Sequence, residues 1–137
     1  MGTSQRPGDS GPDARVVPIL RLGFLLGAGL FGGVIGYLRS QDSVSVNPEL
    51  ARPLTLAGRG VWGVALAVCL ALAMRVRSER DPGKTFAQSV VGWALAETTA
   101  IFGGVYWYLV GSSQWYFSGL GFLALALIML PGMRRGA

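Results

Sequence analysis

From Phe86 to Val110 the chain runs for 25 residues with a single ionisable side chain, Glu97, near the middle. About 20 mostly apolar residues suffice for a helix to cross a bilayer, so this stretch has the length and composition of a transmembrane span. A charged group at the bilayer centre costs about 2.5 to 3.5 kcal/mol or more, and such residues face protein or water rather than lipid. The stretch therefore predicts a helix that packs among other helices and shelters its carboxylate.

The rest of the chain agrees with a membrane class. Of its 137 residues 51% are apolar and 14% are charged, against the ~25% charged of ordinary soluble domains. Mean hydropathy is +0.46, and the apolar residues come in long runs. Four spans are expected, at about residues 16–38, 53–74, 86–110 and 115–133. They predict an all-α integral membrane bundle, residues 16–133, with aqueous tails at 1–15 and 134–137. The first tail is rich in Gly, Pro, Ser and Asp and reads as disordered. The first span is longer than the h-region of a signal peptide and ends at Tyr37, Leu38 and Arg39 without an A-x-A pattern, so cleavage is not expected.

Charge sets the expected orientation. The amino-terminal tail, the 75–84 loop and the carboxy-terminal tail carry Arg6, Arg15, Arg75, Arg77, Arg80, Lys84, Arg134 and Arg135. The two opposite loops carry only Arg39 and Arg52. Basic residues accumulate on the cytoplasmic side, which predicts both termini inside a bacterial inner (cytoplasmic) membrane, with several passes. Trp107, Tyr108, Trp115 and Tyr116, with Tyr106, then fall at the outer interface, where amphipathic rings settle. The net charge of +5 is explained by this orientation and does not point to nucleic acid.

Local signals refine the pattern. Span one carries Gly23, Gly27, Gly29, Gly32, Gly33 and Gly36, of which 23/27, 29/33 and 32/36 are four apart, a spacing that lets another backbone approach. Gly104 takes the same packing role on span three, on one face with Trp93, Glu97 and Ala100. Asn47, Pro48 and Glu49 look like a helix start, and Thr85 with Gln88 has capping-box spacing. Arg21 is placed to snorkel to the head groups. Arg59, between Gly58 and Gly60, lies at a depth from which it can pair with Glu97. A protonated Glu97 bonded to Thr98 or Thr99 is the alternative to that intramembrane ion pair.

Chemistry is sparse. There is no histidine, and the one cysteine, Cys69, allows no intrachain disulfide. No nucleophile–base pair, phosphate-binding loop or set of metal ligands is visible, so no enzyme, catalytic residue, metal or cofactor is expected.

The run Ala94-Leu95-Ala96-Glu97-Thr98-Thr99-Ala100-Ile101-Phe102-Gly103-Gly104-Val105 resembles the carboxylate helix of the c subunit of rotary ATP synthases. The resemblance covers about a tenth of the chain and implies that Glu97 carries a proton. In that family the glycine-rich helix directly precedes the carboxylate helix, whereas here a span with Arg59 lies between them. Small multidrug transporters also have four short spans and an intramembrane glutamate, but in their first span. The wider pattern is that of a bacterial four-helix membrane protein. Its expected role is a non-enzymatic accessory or structural subunit of an energy-transducing (photosynthetic or respiratory) or transport complex, with lipids and other membrane subunits as partners. The alternative is a carrier of protons or cations acting through Glu97.

Overall fold

The computed structural model describes residues 15–41 and 45–132. Among these the chain is all α: α1 Val16–Ser40, a short 3-10 turn Pro48–Leu50, α2 Ala51–Ser78, α3 Pro82–Val110 and α4 Gln114–Met129. Apart from Arg15, the two tails lie outside the described residues.

The helices run alternately up and down around α3. That helix packs against each of the other three, most extensively α4. Its partners differ in how closely they approach. A Cβ on Gly103 would lie 2.5 Å from the Tyr116 backbone nitrogen, and one on Gly119 would lie 2.5 Å from the Ala100 Cα. At this crossing α3 and α4 touch backbone to backbone, which only glycine permits. Helices α2 and α4 meet through larger groups, with Trp62 between Trp115 and Phe122 at ring distances of 6.5 and 5.3 Å. The buried core gathers around Trp93, Ala96, Ala100, Leu123, Leu127 and Leu130, drawn mainly from α3 and α4.

Two helices, Val16–Ser40 and the segment Pro48–Ser78, are long and apolar enough to cross a membrane, with only 17% of each one's most apolar window buried. The helix that contains Glu97 is different. It is 29 residues long, but it buries Thr85, Ser89 and Thr99 and owes its interior place to polar and small residues as well as apolar ones. Helix α4 has 16 residues, about 24 Å at 1.5 Å each, against the ~30 Å of a hydrocarbon core. Span four was expected to continue to 133, whereas the helix stops at Met129. Pro131 disfavours helical backbone at the residue before it, and Leu130 is extended at φ −100°, ψ 100°.

The helix starts bear out one signal and correct another. Asn47 caps the turn that leads into α2, its Oδ1 accepting from Glu49 N at 3.1 Å. Helix α3 does not begin at a Thr85–Gln88 box. It begins four residues earlier, where Asp81 accepts from Gly83 N and Lys84 N with Pro82 at the first position. Thr85 is instead buried, its hydroxyl donating back to Asp81 O at 3.0 Å. Asp followed by Pro is a complete start signal in itself.

Candidate functional site

Glu97 sits where α3 meets α1. A Cβ on Gly27 would lie 3.0 Å from its Oε1, so the half-buried carboxylate rests against the α1 backbone. It has no hydrogen bond or ion pair among the described residues. The hydroxyls expected to receive it are committed elsewhere: Thr98 donates to Ala94 O at 2.9 Å and Thr99 to Ala96 O at 2.7 Å, both on α3 itself. Back-bonding of this kind satisfies a threonine without any neighbour.

Arg59 is not brought to Glu97, and the expected intramembrane pair is corrected on this point. Arg59 is exposed and lines a depression with Trp62, Gln114, Trp115 and Ser118, on the seam between α2 and α4. Glu97 faces α1, and an arginine on α2 does not reach that side of α3. Like the carboxylate, the guanidinium has no partner among the described residues.

The glycines of α1 separate onto two faces rather than one. Gly27, Gly32 and Gly36 turn inward, against Glu97, the Tyr116 ring and Trp107. Gly104 on α3 packs against Phe31 of α1. Gly23, Gly29 and Gly33 have nothing within 4 Å, and the last two lie in an open groove of ~450 Å³ with Leu25, Leu26, Leu30, Val34 and Tyr37. Of the two glycines at the backbone crossing of α3 and α4, Gly103 follows Thr99 by four residues, a small-residue spacing that the sequence reading passed over. Gly119 belongs to no small pair four residues apart on α4.

The aromatic residues also divide. Trp107, Tyr108 and Trp115 are half-buried near the end where α3 and α4 join. Tyr116 was expected at the interface but is buried, its hydroxyl donating to Ala28 O on α1 at 2.7 Å. Tyr106 is buried as well and its hydroxyl bonds Thr55 Oγ1 at 3.1 Å, tying α3 to α2.

Two arginines close helix ends, a role the sequence reading missed. Arg21, expected to snorkel, points inward. Its guanidinium lies 5.4 Å from the centroid of the Trp93 ring and Nη2 donates to Leu130 O, at the end of α4, at 3.3 Å. Arg39 Nη1 donates to Tyr108 O at 3.0 Å, in the last turn of α3. Both bring positive charge to a helix carboxyl end, where the dipole favours it.

Cys69 is buried, with Sγ 3.5 Å from Gly92 O. Among the described residues no three His, Cys, Asp or Glu side chains come together in a way that holds a metal ion. No family model, curated protein or solved structure matches the chain.

Proposed function

We propose that this chain crosses the cytoplasmic membrane of a bacterium four times, both ends inside, and serves as a non-enzymatic accessory subunit of a larger energy-transducing or transport assembly. Large apolar side chains on the outer surfaces of the bundle support burial in lipid, among them Ile19, Leu30, Val64, Met74 and Ile128, each more than 60% exposed. In water such a surface would be an aggregation liability. Helix α3, polar enough to fall outside the apolar pair, is compatible with a span because Thr85, Ser89 and Thr99 are buried against neighbouring helices and the exposed Thr98 hydroxyl bonds back to Ala94 O.

One observation carries the accessory role: the open glycine face of α1. Glycine costs a helix roughly 0.5–1 kcal/mol relative to alanine, a cost returned only where another backbone comes close. Gly29 and Gly33 receive no such contact from this chain, and leucines border them on both sides. A helix of a partner subunit laid into that groove supplies it. The test is mild-detergent extraction through a carboxy-terminal tag, with mass spectrometry of what accompanies the protein. Stoichiometric recovery of other membrane subunits, lost on Gly29→Leu/Gly33→Leu with the protein still folded, supports the reading. Recovery of the chain alone contradicts it.

A second reading rests on the lack of any partner for Glu97. A carboxylate in the α1–α3 seam with no cation or hydroxyl committed to it is free to take up and release a proton or cation, as the c-subunit resemblance implies. Proton flux into liposomes holding the purified protein, abolished by Glu97→Gln, favours this carrier role. Absence of flux above that of empty liposomes counts against it.

A further inference from the structure

Among the described residues Arg59 is a basic residue well inside a helix, with no hydrogen bond or ion pair. Arg21 and Arg39 close helix ends, whereas Arg59 stands eight residues into α2, about 12 Å along it, between Gly58, which packs against Phe102 and Trp115, and Gly60, which faces open space. It lines two depressions at once. One, of about 500 Å³, is shared with Trp62, Gln114, Trp115 and Ser118. The other, of about 430 Å³, is shared with Arg52 and Thr55 at the start of α2. Below this level Trp62 and Phe122 meet ring to ring across the seam between α2 and α4, and beyond them Leu66, Leu70, Leu125 and Met129 present exposed apolar surface around a hollow of only about 60 Å³.

An unpaired guanidinium above exposed apolar surface has a specific chemical complement. Arginine presents a planar fork of donors that matches phosphate oxygens, and it holds them better than a point charge does. The amide of Gln114 and the hydroxyl of Ser118 add neutral donors at the same level, while the exposed leucines beyond offer apolar surface for a hydrocarbon chain to lie against. We propose that the α2–α4 seam is a binding site for an anionic phospholipid. Its phosphate sits on Arg59, with Arg52 adding long-range attraction, and one acyl chain lies along Leu66, Leu70 and Phe122. The site rests on the four-span reading, in which the starts of α2 and α4 both lie at the outer head-group level. Inorganic phosphate shares the head-group chemistry, but the exposed apolar surface below the arginine favours the lipid.

The test is native mass spectrometry of the full-length protein, delipidated in detergent and then given phosphatidylglycerol, phosphatidylcholine or inorganic phosphate. One phosphatidylglycerol should be retained in preference to phosphatidylcholine, undisplaced by millimolar phosphate. Arg59→Gln should lower its retention about tenfold or more, the loss of one charge-assisted contact. Arg75→Gln, at the other end of α2, should leave retention unchanged, with identical thermal unfolding of both variants confirming that each is folded. Equal retention of the two lipids, or retention indifferent to Arg59→Gln, overturns the site. Binding of inorganic phosphate alone, with phosphatidylglycerol no better, overturns the lipid as its occupant. Labelling of Ser112→Cys, in the turn between α3 and α4, by a membrane-impermeant maleimide separates the two levels. Labelling from outside with no lipid preference refutes this site only, whereas Ser112→Cys protected until the membrane is opened refutes the four-span reading beneath it.

Discussion

At Gly119 a single methyl group decides whether α3 and α4 can meet. Gly119→Ala places a carbon 2.5 Å from the Ala100 backbone, which must move, and should cost about 1–3 kcal/mol in detergent unfolding experiments. Gly29→Ala, in open space, should leave stability within about 0.5 kcal/mol or raise it slightly. Equal effects at the two positions would mean that the crossing is looser than its geometry. Charge gives a parallel contrast. Removing one member of a buried ion pair typically costs about 3–5 kcal/mol, but Glu97 and Arg59 face different neighbours. Glu97→Gln and Arg59→Leu should each change stability by less than about 1 kcal/mol, read from the same unfolding curves. Spacing along the chain showed that both residues lie within apolar runs. Which way each points depends on helix rotation, and a pattern of glycines on several sides of α1 does not determine that rotation.

Helix ends are the places where this chain's local chemistry is most readable and also most easily misread. Asn47-Pro48-Glu49 opens its turn as its residue types predict, and Asp81-Pro82-Gly83 opens α3 although proline and glycine look like breakers. Asp81→Ala should therefore destabilise the fold by about 1 kcal/mol, whereas Gln88→Ala should change it little, measured by thermal melting followed through helical circular dichroism. A larger loss at Gln88 would restore the capping box. Helix α1 is held to α4 by the Tyr116 hydroxyl on Ala28 O and to the far end by Arg21 on Leu130 O. Tyr116→Phe should cost about 1 kcal/mol and speed proteolysis within α1. Neither long-range bond has a signal in the sequence, because donor and acceptor lie 88 and 109 residues apart and the acceptor is an ordinary backbone carbonyl.

For the molecule as a whole, the all-α class and the number and order of helices were legible, since long apolar runs separated by Pro, Gly and charge leave few alternatives. The hierarchy among the helices was not. Helix α3 is the shared core, with Thr85, Ser89 and Thr99 buried in it, while α1 and α2 are the strongly apolar pair. That difference allows two arrangements in a membrane, one with all four helices crossing and one with only α1 and α2 crossing. Both place Arg15 and Arg80 on one side and Gln41 on the other. They part at Ser112, in the turn between α3 and α4. The most direct measurement is therefore labelling of Ser112→Cys, in a Cys69→Ala background, by a membrane-impermeant maleimide on intact spheroplasts. Four spans predict labelling from outside at a level matching Gln41→Cys, with Arg80→Cys labelled only after the membrane is opened. Ser112→Cys protected until the membrane is opened, with Gln41→Cys accessible, would contradict the four-span account and leave α3 and α4 on the inner side.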